Sequence, residues 1–303
     1  RRAVTAQEGA ELMDLSFLVY FLAKGLEISS PIAFAALGGV FSERGGVVNI
    51  ALEGIMSVTA LTLVWGAITF QSVWVGLVVA IFTGILMSLI HAVVTITFKV
   101  DHIVSGVAIN VFSIGLSRFL CQSFFGAETQ SKINPFLFPK LFGVNSLSFW
   151  LIPIVLIAAF VLYKTVFGLR LRSVGENPEA ADTLGVNVTA MRYAGVLISG
   201  AFCGIASATL FADKWINNMV AGRGFIALAA VIFGRWDPTG AVLASLLFGY
   251  ADTFRIIFES RIPIPGQFVQ MFPYVLAVVV LAGLVGRSRA PAWDGRNYEK
   301  GED

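Results

Sequence analysis

Charge is scarce in this sequence, and so are the residue types on which soluble catalysis depends. Of 303 residues only 13% are charged, and the chain carries two cysteines and two histidines. With 57% hydrophobic residues and a mean hydropathy of +0.81, this excludes a soluble globular domain, in which about a quarter of residues are charged. Cys121 and Cys203 sit in apolar surroundings without metal-ligand spacing, so they read as free thiols packed in a membrane core. His91 and His102 are separated in sequence and suit structural or polar-interface roles better than catalysis. There is no phosphate-binding Gly-x-x-x-x-Gly-Lys-Ser/Thr loop, no zinc-spaced set, no nucleophile elbow and no dinucleotide fingerprint. The chain is therefore not expected to hydrolyse ATP or to hold a cofactor. Its formal charge of +2 comes from basic residues scattered between apolar segments, which argues for membrane orientation and against nucleic-acid binding.

What the chain does have is a succession of apolar segments, as an all-α polytopic membrane protein requires. A helix needs about 20 apolar residues to cross the hydrocarbon core. Leu12 to Ala23 is too short alone; interrupted by Lys24 and Glu27, it is either an interfacial helix or half of a longer tilted one. Pro31 to Phe41 is apolar, Ser42 to Gly46 breaks the run, and Val47 resumes it to Phe70. Paired glycines and charges inside apolar territory suggest a discontinuous helix lining a path; a plain turn between two spans is the alternative. Trp74 to Phe98, Ile103 to Phe125, Phe149 to Tyr163, Tyr193 to Ala212, Gly240 to Phe258 and Met271 to Val285 read as spans. Phe225 to Phe233 is short enough to be a half helix. Gly126 to Ser148 reads as an external loop with room for a short helix. The total is about eight to ten transmembrane helices with discontinuous segments.

One polar island, Thr165 to Met191, interrupts this pattern. Asn177 can cap a helix there, Pro178 suits its first position, Glu179 favours its dipole and Gly185 can stop it. A helix of about two turns is too short to persist alone and must dock on something. Arg170, Arg172 and Arg192 in the island, and Arg287, Arg289, Arg296 and Lys300 in the tail, place both on the cytoplasmic side by the positive-inside bias.

The residues also carry a resemblance. Gly168, Arg170, Val174 to Pro178 and Ala180-Ala181 resemble the cytoplasmic coupling loop of the ABC-importer permeases that move simple sugars, branched-chain amino acids and nucleosides. Ser42-Glu43-Arg44-Gly45-Gly46-Val47-Val48-Asn49-Ile50-Ala51-Leu52-Glu53-Gly54 resembles the signature of the nucleoside branch. Asp101 to Gly106 with Asn110, and Gly224-Phe225 through Phe233 to Pro238, resemble further blocks, so the likeness runs from about Ser30 to Tyr298. The branch usually has Gly in place of Ala51, and Asn and Gln near Asp101 and His102. Those two positions are either an added ionisable pair or a tolerated change at a helix start.

The resemblance implies one permease domain over 1–303, with 165–191 as its coupling loop, in a bacterial cytoplasmic (inner) membrane with loop and C-terminus cytoplasmic. It implies ATP-driven alternating access, with hydrolysis on a separate ABC ATPase subunit. Further partners would be a second, different permease chain, an extracytoplasmic substrate-binding lipoprotein of the basic-membrane-protein type, and membrane lipid. Glu176, Asn177, Pro178, Glu179, Ala180, Ala181 and Asp182 would contact the ATPase. Glu43, Asn49, Glu53 and Asn110 would line the translocation path, or else satisfy the backbone of broken helices. The expected cargo is a nucleoside or a related purine or ribosyl compound. A simple sugar, a ribityl compound such as riboflavin, and an ion-coupled secondary transporter are the alternatives.

Overall fold

The first helix shows how the charge interruption is absorbed. Lys24 Nζ and Glu27 Oε2 lie 2.5 Å apart, one turn from each other, so the two charges are matched within the helix instead of ending it. The Ser29 and Ser30 hydroxyls donate to the carbonyls of Gly25 and Leu26, each at 2.6 Å. The longer-helix alternative therefore holds: α1 runs unbroken over Leu15–Arg44 with Pro31 inside it. The computed structural model describes residues 15–141, 143–210, 213–259, 271, 275 and 289–299.

After α1 the chain turns at Gly46, whose φ of +86° favours glycine, and the Ser42 hydroxyl closes the turn by donating to the Val47 carbonyl at 2.6 Å. Then follow α2 (Leu52–Thr69), α3 (Val73–Ala92, continued by a π-helical turn over Val93–Thr97) and α4 (His102–Phe125). Asp101 caps α4 by accepting the backbone N–H groups of Ile103 and Val104 at 2.9 and 3.0 Å, which is the helix-start account of that position. In the loop with room for a short helix, the chain forms a hairpin of β1 (Lys140–Leu141) and β2 (Val144–Asn145) followed by a 3-10 helix over Ser146–Trp150. Its backbone is tied to a distant segment instead of coiling on itself: Ser131 N donates to Trp215 O at 2.9 Å and Asn134 N to Asp213 O at 2.7 Å.

The second half comprises α5 (Leu151–Lys164), α6 (Val166–Glu176), α7 (Pro178–Thr183), α8 (Val188–Leu210), α9 (Arg223–Phe233) and α10 (Pro238–Phe258). The span expected from Tyr193 begins earlier, at Val188, because the Asn187 side chain caps it by accepting Ala190 N–H at 2.9 Å. The expected turn after Glu259 and the crossing Met271–Val285 lie outside the described residues, apart from Glu259, Met271 and Val275.

Among the described residues, seven helices are long and apolar enough to cross a membrane, and α9 is a shorter apolar helix. The chain is an all-α, multi-pass membrane protein. Helix α2 is the most enclosed, with 72% of its apolar window buried, and α8 packs against α1, α2 and α3. Lipid offers little hydrophobic driving force between helices, so close contact depends on small residues. At the α3–α8 crossing a Cβ on Gly84 or Gly200 would collide with the other's carbonyl.

Candidate functional site: a lateral cavity and a docking helix

Side chains from α3, α4 and α8 help to hold the signature segment between α1 and α2. Val48 N donates to His102 Nδ1 at 3.3 Å, while Val48 O lies 3.1 Å from His91 Nε2. The two histidines, far apart in sequence, thus grip one residue. Asn49 Oδ1 accepts Ala51 N–H at 3.1 Å and its amide donates to Ser199 at 3.0 Å. Asn110 Oδ1 accepts Gly54 N–H at 2.8 Å and its Nδ2 donates to Ile50 O at 3.0 Å. These bonds satisfy backbone groups that a break in apolar surroundings would otherwise strand.

Glu53 does the same for α9. Its Oε1 accepts Gly222 N–H at 2.8 Å and its Oε2 accepts Gly224 N–H at 2.7 Å. The carboxylate thereby closes the positive end of the half helix. The other end of α9 is fastened to α1: Arg44 Nε donates to Trp236 O at 2.7 Å, and Glu43 Oε2 accepts Trp236 Nε1–H at 2.5 Å. Eleven helical residues span roughly 16 Å, about half the hydrocarbon core.

A cavity of about 820 Å³ lies between α2, α4 and the start of α9. Glu53 and Asn110 line it; Glu43 and Asn49 do not, being buried at the α1–α2 junction. The wall is completed by Ser57, Arg118, Asn217, Asn218 and Phe225. Among the described residues, the side chains of Arg118, Asn217 and Asn218 make no hydrogen bond or ion pair, so they face the cavity with free donors and acceptors. Asn218 (φ +62°) and Ala221 (φ +52°) are left-handed, a strained arrangement for non-glycine residues that concentrates at functional sites. Sequence reading missed this segment because 213–224 looks like an ordinary polar connection. Arg118, a lone cation amid an apolar helix, was the signal available.

The second candidate surface is α7. Asn177 Oδ1 accepts Ala180 N–H at 2.9 Å and Pro178 stands at the first position, so the short helix is built as its sequence predicts. Pro178 and Ala181 are buried, Asp182 is half-buried, and Glu176, Asn177, Glu179 and Ala180 are exposed. Glu176 turns back toward Arg44, 3.8 Å away. Leu184, which the sequence did not single out, is 84% exposed at the end of α7, flanked by acids on a small protruding face. The island also holds α6, in which Leu171, Val174 and Gly175 are buried.

The fold is thus a multi-pass bundle with a cavity of mixed lining between its helices and a short capped helix with an exposed face, the two candidate surfaces of a membrane permease. The chain belongs to the family described as branched-chain amino acid transport system, permease component, which it matches over residues 21–281. Among its relatives, it is 43% identical to the nucleoside ABC transporter permease protein NupC of Lactococcus lactis subsp. cremoris, over 93% of this chain and 98% of the relative. It is 42% identical to the guanosine ABC transporter permease protein NupQ of Bacillus subtilis, over 91% and 95%. The putative glucose ABC transporter permease protein TsgC13 of Haloferax volcanii is 31% identical over 91% and 94%.

Proposed function

We propose that this chain is the permease subunit of an ABC importer that moves nucleosides into the cytoplasm of a bacterium, as a single domain with 165–191 as its coupling loop. The observation that carries the reading is the cavity wall. A nucleoside is neutral and presents hydroxyls, base edges and an aromatic face; the cavity offers free amides at Asn217 and Asn218, a guanidinium at Arg118, and the half-exposed ring of Phe225. Each oxygen of Glu53 is already engaged once and keeps a lone pair for a ribose hydroxyl. Sparse contacts of this kind orient a solute without holding it so tightly that release is slow.

Polar groups among spanning helices are not left facing lipid, so a second permease, different in sequence, covers the side on which Arg118, Asn217 and Asn218 lie. The extracytoplasmic lipoprotein delivers solute to the side opposite α7. A separate ABC ATPase seats Pro178 to Leu184 in a groove, taking the exposed Leu184 as an apolar anchor and Glu179 and Asp182 as contacts for basic residues. Closure of the ATPase then rocks the permease pair between outward-open and inward-open states.

The test is uptake into vesicles containing the assembled transporter, with labelled guanosine, ribose and glucose compared. Nucleoside uptake that unlabelled nucleosides suppress and sugars do not is the expected result. Transport of ribose or glucose without nucleoside transport would overturn the assignment.

A further inference from the structure

The segment near the C-terminus is bound to five separate pieces of the same face. Trp293 N donates to Gly175 O at 2.9 Å, at the end of α6, and Gly295 N donates to Gly46 O at 3.2 Å, in the α1–α2 turn. Arg192 Nη1, in the first turns of α8, donates to Arg296 O at 2.9 Å. Asn297 Nδ2 donates to Lys99 O at 2.6 Å in the α3–α4 turn, and Lys99 also pairs with Glu299. Tyr298 packs against the apolar cluster of Val174, Ala181 and Val188, which joins the tail to α6, α7 and α8.

These contacts close a mechanical series. Ala181 of α7 and Tyr298 share one apolar cluster; the tail meets Gly46; the last turn of α1 holds Trp236 through Glu43 and Arg44; and α9 ends on Glu53 at the cavity. Gly46 admits the tail because it lacks a side chain: a Cβ there would lie 3.2 Å from Trp293 O and 3.3 Å from Arg192 Nη2. Arg235 and Trp236, both left-handed at φ +58° and +54°, sit on this series as strained residues held in place by α1. Packed elements of this kind move as units between discrete arrangements.

We infer that the segment from Pro291 to Glu299 is a strap that carries the movement of α7 to the α1–α2 junction and through it to α9, with Tyr298 and Trp293 as positioning residues for the transport step. This rests on the reading of α7 as the ATPase contact. Without the strap, α7 would still meet the ATPase and hydrolysis would proceed, but less of each stroke would reach the cavity. The loss falls on the ratio of solute moved to ATP hydrolysed, a quantity that a mere fall in folded protein leaves unchanged.

The experiment uses the assembled transporter in proteoliposomes, with guanosine as probe, and measures guanosine moved per ATP hydrolysed. Wild type is compared with Tyr298→Ala, Trp293→Ala, a chain ended at Ala290, and Leu184→Asp on α7. The strap variants are expected to lower the ratio about threefold to tenfold while ATP hydrolysis per assembled complex stays within about twofold. A ratio unchanged in Tyr298→Ala and Trp293→Ala overturns the inference; if the shortened chain does not assemble, these two variants decide alone. Leu184→Asp separates the two readings. If it uncouples and the strap variants do not, only the strap falls. If it alters neither ratio nor assembly, the assignment of α7 falls, and uncoupling by strap variants would then overturn the link to α7.

Discussion

Glu53 Oε2 accepts the backbone N–H of Gly224 at 2.7 Å, which joins the first turn of α2 to the first turn of the half helix α9 and fixes the floor of the cavity. One carboxylate thus serves as a helix cap, a tie between two elements and a wall of the proposed path.

Glu53→Gln replaces one acceptor oxygen by an amide donor that faces an N–H group. One of the bonds to Gly222 and Gly224 is lost and a buried donor is left without a partner, at a cost of about 1–3 kcal/mol. A lower melting temperature of the purified protein is expected. Gly224→Ala is expected to be worse, since a Cβ there would meet the Glu53 backbone.

Asn110→Ala and Asn49→Ala should lower yield more than they change substrate preference, because each amide holds backbone groups of the α1–α2 junction. Asn217→Ala and Asn218→Ala should do the opposite, leaving expression near wild type and changing the relative uptake of different nucleosides. Uptake competition with expression checked by immunoblot measures both. A change of preference in Asn49→Ala alone would reverse these assignments.

Leu184 is exposed at the end of α7, as is Glu179 in its first turn, and both belong to the proposed ATPase contact. Leu184→Asp and Glu179→Arg are each expected to reduce transport at least tenfold, equivalent to about 1.4 kcal/mol or more of lost contact, at unchanged levels in the membrane. Co-purification of the ATPase with each variant measures the contact itself.

Attachment of the strap should depend on pH through Asp294. Docked, its carboxyl is raised to about 7, first by burial, against the opposing pull of Arg192 and the Gly295 N–H; Glu43 also faces it from α1. Released, it would titrate near the ordinary aspartate value of about 4. Docking therefore takes up a proton between these values, so the contribution of Asp294 is greatest at low pH and is lost as pH rises through this window, by at most about tenfold per unit. Limited proteolysis of the tail should be faster at pH 7.5 than at pH 5.5, and Asp294→Asn should remove that component of the difference.

Much of this architecture is legible in the residues themselves. Asn177, Pro178 and Gly185 encode α7 because capping is a local interaction, and the apolar run lengths mark most spans because the bilayer sets one length for all. The longer α1 was left open since the pairing of Lys24 with Glu27 is visible only once the helix exists. The lining of the cavity is half legible. Glu53 and Asn110 reach the cavity, but the sequence carries no sign that α9 would bring Asn217, Asn218 and Phe225 beside them. That juxtaposition depends on where a half helix ends in depth, which only packing decides. The strap is illegible for the same reason: the sequence marks the tail only by its basic residues, and its partners lie more than a hundred residues upstream.

The measurement closest to the central claim is accumulation of guanosine inside proteoliposomes that hold this chain with its ATPase, second permease and binding lipoprotein. Accumulation that requires ATP and the binding lipoprotein, and that Leu184→Asp abolishes, is the predicted result. Accumulation driven by a proton or sodium gradient in the absence of ATP would contradict it.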